Sequence, residues 1–271
     1  MGEAWPPNGA QFTTIDVPNG IATIANGINP RGDIVGQYED SAHNVHGFLL
    51  SQGSYTTIDV PNGSESRATG INARGDIVGF YFGTCASCTG VDGFLLSQGR
   101  YTNIDVPNAL ATEVFGINDR GDIVGLYVDP AFHVHGFLLS QGMYITIDDP
   151  NGPGSRALGI DAKGDVVGRY VDISTGNPIG FVFSRGKYSD IADPNGVNGT
   201  RAYGINSQGD IVGSYVDSFF ERHGFLLSGG IYTTIQDPIG TFGEADGINS
   251  KGDIVGWYFD GASAHGFLLS H

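Results

Sequence analysis

The chain has 271 residues, with 13 Lys+Arg against 29 Asp+Glu and a net charge of −16. That balance disfavours nucleic acid and anionic membrane as partners, because both need a cationic footprint. No run of about 18 apolar residues marks a membrane span.

In chain order, residues 1–10 are Pro- and Gly-rich and are expected to be loose, ahead of a single domain over 11–271. The opening Met1–Pro7 lacks a basic region followed by an apolar stretch, so no signal peptide is expected in it. Phe12-Thr-Thr-Ile-Asp-Val-Pro18 follows and matches Tyr55–Pro61, Tyr101–Pro107, Tyr144–Pro150, Tyr188–Pro194 and Tyr232–Pro238. In those five places the segment ends a repeat; the last repeat stops at His265–Ser270 without one. The orphan strand at the start therefore fits the gap at the end.

The repeats open on Gly27, Gly70, Gly116, Gly159, Gly204 and Gly247, at intervals of 43, 46, 43, 45 and 43 residues. Self-similarity at this period marks a repeat architecture. Each copy holds four strand-like runs; in the fifth they are Arg201–Ile205, Asp210–Tyr215, His223–Ser228 and Tyr232–Gln236. No helical periodicity interrupts them. The first run is short and rich in Gly and Ala, which suits a crowded axis, whereas the fourth alternates like a half-exposed outer strand. The expectation is an all-β, six-bladed β-propeller with four-stranded antiparallel blades, closed by the N-terminal strand. The Asn-x-x-Gly-Asp turn joins the first two runs, and its Asp (33, 76, 122, 165, 210 and 253) is expected to accept N–H groups of its own turn.

The wording of the repeat, Gly-Ile-Asn, then Gly-Asp-Ile-Val-Gly, then His-Gly-Phe-Leu-Leu, resembles the bacterial extracellular HAF-type repeats, whose signature is the His-small-Phe segment. The resemblance runs from Phe12 to Ser270. It implies no particular reaction. The family's name implies a secreted or periplasmic location.

Where the copies differ, function has room. The first run begins with Ile24, Arg67, Glu113, Arg156, Arg201 and Glu244, followed two positions on by Asn26, Thr69, Phe115, Leu158, Tyr203 and Asp246. Both sets are expected at the channel mouth, on the face that carries the long, varied loops. Two readings follow. Arg67, Arg156 and Arg201 can fork onto an anionic ligand while Tyr203 and Phe115 stack on a sugar face; or the charges form inter-blade salt bridges that plug the channel. The function read from this is a binding or interaction module for a carbohydrate or other small polar or anionic ligand. The alternatives are a polysaccharide hydrolase or lyase, with Glu113, Glu244 or Asp246 as acid or base, and a structural propeller without a small ligand. Whether the chain is an enzyme stays open, and oligomeric state is not readable.

His46, His135, His223 and His265 precede Gly-Phe in four repeats, each after an Asp (40, 129, 217 and 260) across one hairpin. Hydrogen bonds locking those hairpins are expected, and no metal, because the four histidines stand apart from one another. His133 is unique to its loop, either as an acid–base group or as a plain surface imidazole. Cys85-Ala-Ser-Cys88 can be a redox pair, half a zinc site or a local disulfide; with no second Cys pair, an exported protein would make it a loop-pinning disulfide. No cofactor-binding motif occurs, so no cofactor is expected.

Overall fold

In the computed structural model, which describes residues 10–83, 90–235 and 242–270, the Asn-x-x-Gly-Asp hairpin sets the local geometry. In the first copy Gly32 N–H donates to Asn29 O and Asn29 N–H to Asp33 O, both at 3.0 Å. This is a type I turn followed by a left-handed residue. Gly32 takes φ +87°, and its five counterparts lie close to that value; glycine adopts it without steric cost.

The turn differs from the expectation in one respect. Asn29 Oδ1, not Asp33, accepts the N–H groups of Arg31 and Asp33. Asp33 Oδ2 accepts from Asn29 Nδ2 and Arg31 Nε, and its Oδ1 from the Ser51 hydroxyl on the third strand. The Asn opens the turn and reaches back over it, whereas the Asp follows the glycine and already faces the neighbouring strand. Partial burial pushes Asp33, Asp76 and Asp122 up, but the bonds from Ser, Asn and Arg outweigh it and hold all three below the ordinary carboxylate range.

The described residues form six four-stranded antiparallel sheets. After the opening strand β1 (Gln11–Ile15), blade 1 comprises β2 (Ala22–Ile28), β3 (Ile34–Glu39), β4 (Val45–Ser51) and β5 (Ser54–Ile58), paired in that order from the axis outward. Blades 2 to 5 repeat this order. Blade 6 supplies three strands from the C-terminal end, and β1 pairs antiparallel with the last of them, Ala264–Ser270, with Gln11 opposite Ser270 and Ile15 opposite Gly266. The chain is a six-bladed β-propeller closed by its N-terminal strand. Of the segment expected to be loose, only Ala10 lies among the described residues.

Six equivalent hydrophobic seams separate the blades. Phe48, Phe94, Phe137, Phe181 and Phe225 are each at most 1% exposed, and Phe267 completes the set. Each ring lies over the second glycine of Gly-Asp-Ile-Val-Gly; a Cβ on Gly36 would sit 2.7 Å from Phe48. That pairing explains why both residues recur in every copy. In the closing seam, Ile15 and Val17 join Ala25, Ile28, Ile34 and Phe48.

Near the axis the inner strands touch. A Cβ on Gly27 would lie 3.3 Å from Gly70 Cα, and the same approach runs through Gly116, Gly159, Gly204 and Gly247 back to Gly27. Beyond the glycines, Asn side chains link each blade to the next. Asn29 Nδ2 donates to Asn72 O, Asn72 to Asn118 O, Asn118 to Asp161 O, Asn206 to Asn249 O, and Asn249 to Asn29 O. Blade 4 interrupts the ring because Asp161 stands where the others have Asn. Its Oδ1 still accepts the turn's N–H groups, but its buried Oδ2 has no partner. Asp161→Asn supplies the missing donor toward blade 5. We expect it to raise stability by about 1 kcal/mol and the melting temperature by about 2–4 °C; thermal unfolding checks this, and an unchanged or lowered midpoint contradicts it.

Candidate functional site

Each inner strand carries a β-bulge at the same repeat position, and that of blade 2 has a second between Gly63 and Glu65. The register steps from Ala25 to Gly27 in blade 1, and likewise across Thr69, Phe115, Leu158, Tyr203 and Asp246. A bulge leaves one residue unpaired and re-aims its side chain. Here the six unpaired residues are the varied set that begins with Asn26, and all six line one axial cavity of about 230 Å³ together with Gln37, Arg67 and Phe80.

Gln37 and Phe80 belong to a third varied set that the sequence reading passed over: Gln37, Phe80, Leu126, Arg169, Ser214 and Trp257. Each stands directly opposite the first varied residue of its blade, as Arg156 opposite Arg169 and Glu244 opposite Trp257. The signal was present in the sequence, since the position after the second glycine changes while its neighbours hold.

The mouth has chemically distinct sectors. On the side of blades 2 and 3, Phe80 meets Phe115 edge-on at 6.0 Å, and the Arg67 guanidinium lies 5.5 Å from the Phe80 ring and 5.4 Å from Phe82. Arg67 Nη2 also donates to Glu65 at 2.9 Å, while its buried Nε has no partner. Burial pushes the Glu113 carboxyl up, with Arg156 and Arg67 pulling against it.

Blade 6 is the acidic sector. Glu244 Oε1 accepts from Arg222 Nη1 and, at 3.2 Å, from the Tyr203 hydroxyl. The buried Asp246 carboxyl is pushed well above the ordinary range by its burial and by Glu244, with Arg222 opposing, and its shielded Oδ2 has no partner. Burial and the Glu244 charge likewise push the Tyr203 phenol up. Glu244 is thus committed to its neighbours, whereas Asp246, at the cavity lining, holds its proton more tightly than an ordinary carboxyl.

Blades 4 and 5 make the cationic sector. Arg169 is pushed down to about 10 by burial and by the neighbouring Arg156 and Arg201. Among the described residues none of these three guanidiniums has a carboxylate within 4 Å, and Arg201 Nη1 is buried without a partner. The plugging salt-bridge ring is therefore not formed: Arg222–Glu244 is the one ion pair at this mouth, among the described residues, that links two blades. Cys85 and Cys88 lie outside the described residues.

The same architecture occurs in proteins of known structure. The fucose lectin of the fungus Aleuria aurantia, described as a six-bladed β-propeller, aligns with a TM-score of 0.54 over 94% of this chain and 93% of its own, at 14% identity. A gluconolactonase from Xanthomonas campestris aligns at 0.54 over 97% and 90%, at 12% identity. The β-propeller domain of the trilobed protease from Pyrococcus furiosus aligns at 0.54 over 91% and 82%, at 10% identity. Likeness at these identities establishes the fold alone. No family model and no curated protein matches the chain.

At the rim, the expected Asp–His contacts are present in four blades. His46 Nε2 lies 3.4 Å from Asp40, His135 Nε2 3.4 Å from Asp129, His223 Nε2 3.3 Å from Asp217, and His265 Nε2 3.3 Å from Asp260. Carboxylates one residue past the outer strands take the other nitrogen in three of them: Asp59, Asp148 and Asp16. Burial pulls those three imidazoles down, but the paired carboxylates outweigh it, and His46, His135 and His265 hold their protons more tightly than a free imidazole.

Proposed function

We propose that the protein is a binding module that takes a small carboxylated carbohydrate at the axial mouth. The observation that carries this reading is the cluster of Arg156, Arg169 and Arg201, with no carboxylate within 4 Å among the described residues; the three do not line the axial cavity themselves, but Arg156 and Arg201 stand two residues before its lining Leu158 and Tyr203. In a chain of net charge −16, three clustered arginines that make no ion pair among the described residues, with Glu113 and Glu244 acting on Arg156 and Arg169 from beyond 4 Å, suit an anion. Guanidinium forks match carboxylate geometry, and Phe80, Phe115 and Tyr203 offer flat surfaces to a sugar ring. The cavity is smaller than the roughly 300–1,000 Å³ of drug-sized pockets, so one ring with its carboxylate is the fitting size. Sugar recognition by a lectin on the same architecture supports the ligand class.

A thermal-shift panel tests this. A hexuronate or aldonate at about 100 times its Kd is expected to stabilise the protein by about 2.7 kcal/mol, a rise of roughly 5–10 °C in midpoint, with the neutral parent sugars giving less. Equal shifts from charged and neutral sugars, or none from any, would count against it.

One observation favours a second reading as a hydrolase or lyase. The raised Asp246 carboxyl, with a partnerless oxygen at the cavity, has the properties of a general acid. Turnover of a uronate-containing oligosaccharide, abolished in Asp246→Asn, distinguishes it from binding alone.

A further inference from the structure

Blade 3 carries at its rim a side-chain set that the axial site does not use. In the loop between its second and third strands, Asp129 Oδ1 accepts the N–H groups of Ala131 and His133, both at 2.8 Å. This fixes the carboxylate and leaves Oδ2 facing two imidazoles, with His133 Nδ1 at 3.3 Å and His135 Nε2 at 3.4 Å. All three atoms lie within 4.8 Å of one another. Charge-assisted bonds usually measure about 2.7–2.9 Å, so these contacts are loose for hydrogen bonds. They match the edge of a tetrahedron with arms of about 2.0–2.1 Å, the ligand spacing around zinc; the Asp–His pairs of blades 1, 5 and 6 share the 3.3–3.4 Å distance, so it is the third donor, His133, that sets blade 3 apart.

A second feature points the same way. His135 Nδ1 lies 2.7 Å from Asp148 Oδ2, just past the end of the outer strand Met143–Ile147. A carboxylate behind an imidazole fixes the tautomer and turns the far nitrogen's lone pair outward, the arrangement found behind metal-binding histidines. In that tautomer the His135 Nε2 lone pair is available to an ion held with Asp129 and His133, in exchange for the proton that otherwise bonds Asp129.

The sister blades act as internal controls. Blade 1 repeats the scaffold with Asp40, His46 and Asp59, but Asn44 stands where blade 3 has His133, and its Nδ2 donates to Asp40 Oδ2 at 3.0 Å. A donor occupies that corner, so the set is closed. Blade 5 places Glu221 there, with Asp217 and His223. Blade 3 alone sets two imidazoles and a carboxylate facing one point among the described residues. The same His133 and His135, with Asp148, line a cleft of about 520 Å³ between blades 3 and 4, which leaves room for a fourth donor.

We propose that Asp129, His133 and His135 bind a divalent transition ion of the Zn²⁺ class, with Asp148 positioning His135 and the fourth coordination place open to the cleft. The donor set of two neutral imidazoles and a carboxylate suits Zn²⁺ and its Co²⁺ surrogate and disfavours Mg²⁺ and Ca²⁺, which take oxygen donors. This reading replaces the expectation that the rim histidines bind no metal. They do stand apart blade by blade, but the convergence lies within one loop.

The experiment is Zn²⁺ titration by calorimetry and Co²⁺ titration by visible absorption. The protein carries Cys85→Ser and Cys88→Ser, since a Cys-x-x-Cys pair is a metal-donor motif in its own right. The parent should bind one ion per chain at this site, with the intense visible bands of four-coordinate Co²⁺. His133→Asn rebuilds the blade 1 arrangement without disturbing the hairpin and should weaken Zn²⁺ at least tenfold. Asp148→Asn should weaken it about 10–100-fold while leaving the melting temperature of the metal-free protein near the parent's. Conversely, Asn44→His should add a second site in blade 1. Binding in His133→Asn equal to the parent, or no binding by a folded parent, overturns the proposal.

Discussion

Deleting residues 1–17 is expected to unfold the protein or to lower its melting midpoint by at least about 15 °C. Strand β1 makes every backbone pair on the outer edge of blade 6, from Gln11–Ser270 to Ile15–Gly266. Phe12 stacks on Phe267 at 5.0 Å, Thr14 bonds the Tyr258 hydroxyl at 3.0 Å, and Ile15 and Val17 are 3% and 8% exposed. Two buried apolar side chains at about 1.5–3 kcal/mol each, with the half-buried Phe12 beside them, amount to a large share of a net stability of about 5–15 kcal/mol. The midpoint moves about 2–4 °C for each kcal/mol in a domain of this size. Circular dichroism melting checks the loss. Phe12→Ala with Ile15→Ala gives a milder version that should still fold. A synthetic peptide spanning residues 10–18, added to the truncated chain, should restore the midpoint in proportion to its concentration. A truncated chain that melts like the parent contradicts ring closure by this strand.

Arg156→Ala combined with Arg201→Ala is expected to abolish the carboxylate-dependent thermal shift. Both guanidiniums stand at the mouth without a carboxylate partner within 4 Å, among the described residues, so removing them breaks no ion pair. Burial first, and then the charges of Arg156 and Arg201, depress Arg169; relief of that repulsion offsets the lost attraction of Arg156 to Glu113 and should leave the unliganded protein near the parent's stability. Charge-assisted hydrogen bonds contribute about 1.5–3 kcal/mol each. Losing two guanidinium forks should therefore weaken binding by more than a hundredfold, measured by calorimetry with the best ligand from the panel. A double variant that binds as the parent does would move the ligand away from this cluster.

The period, the four runs per copy and the fit of Phe12–Pro18 to the gap in blade 6 were legible because each is written into spacing or repetition. The convergence of Asn26, Thr69, Phe115, Leu158, Tyr203 and Asp246 on one cavity was legible for a similar reason: a position that changes while its neighbours hold is free of the fold's demands. Comparing copies shows that a position varies, but it does not show which way the side chain points. That direction comes from a bulge in every inner strand, a local misfit between strands that no single run reveals. Arg169 was missed because its partner Arg156 lies on another strand and only register sets them opposite. Arg222 was missed because it reaches from the third strand of blade 5 to Glu244 in blade 6. The division of labour between Asn29 and Asp33 was hidden as well, since either residue type can cap a turn and only the geometry decides which does. The metal-type cluster in blade 3 was hidden in the opposite way: His133 and His135 stand two positions apart in sequence, but the expectation compared histidines between blades and not within one hairpin.

A crystal structure of the protein grown with a hexuronate bears most directly on the proposed function. The ligand's carboxylate should lie within hydrogen-bonding distance of Arg156, Arg169 or Arg201, with its ring against Phe80, Phe115 or Tyr203 in the axial cavity. A saturated crystal with the sugar seated at the rim between blades, and none on the axis, would contradict the assignment.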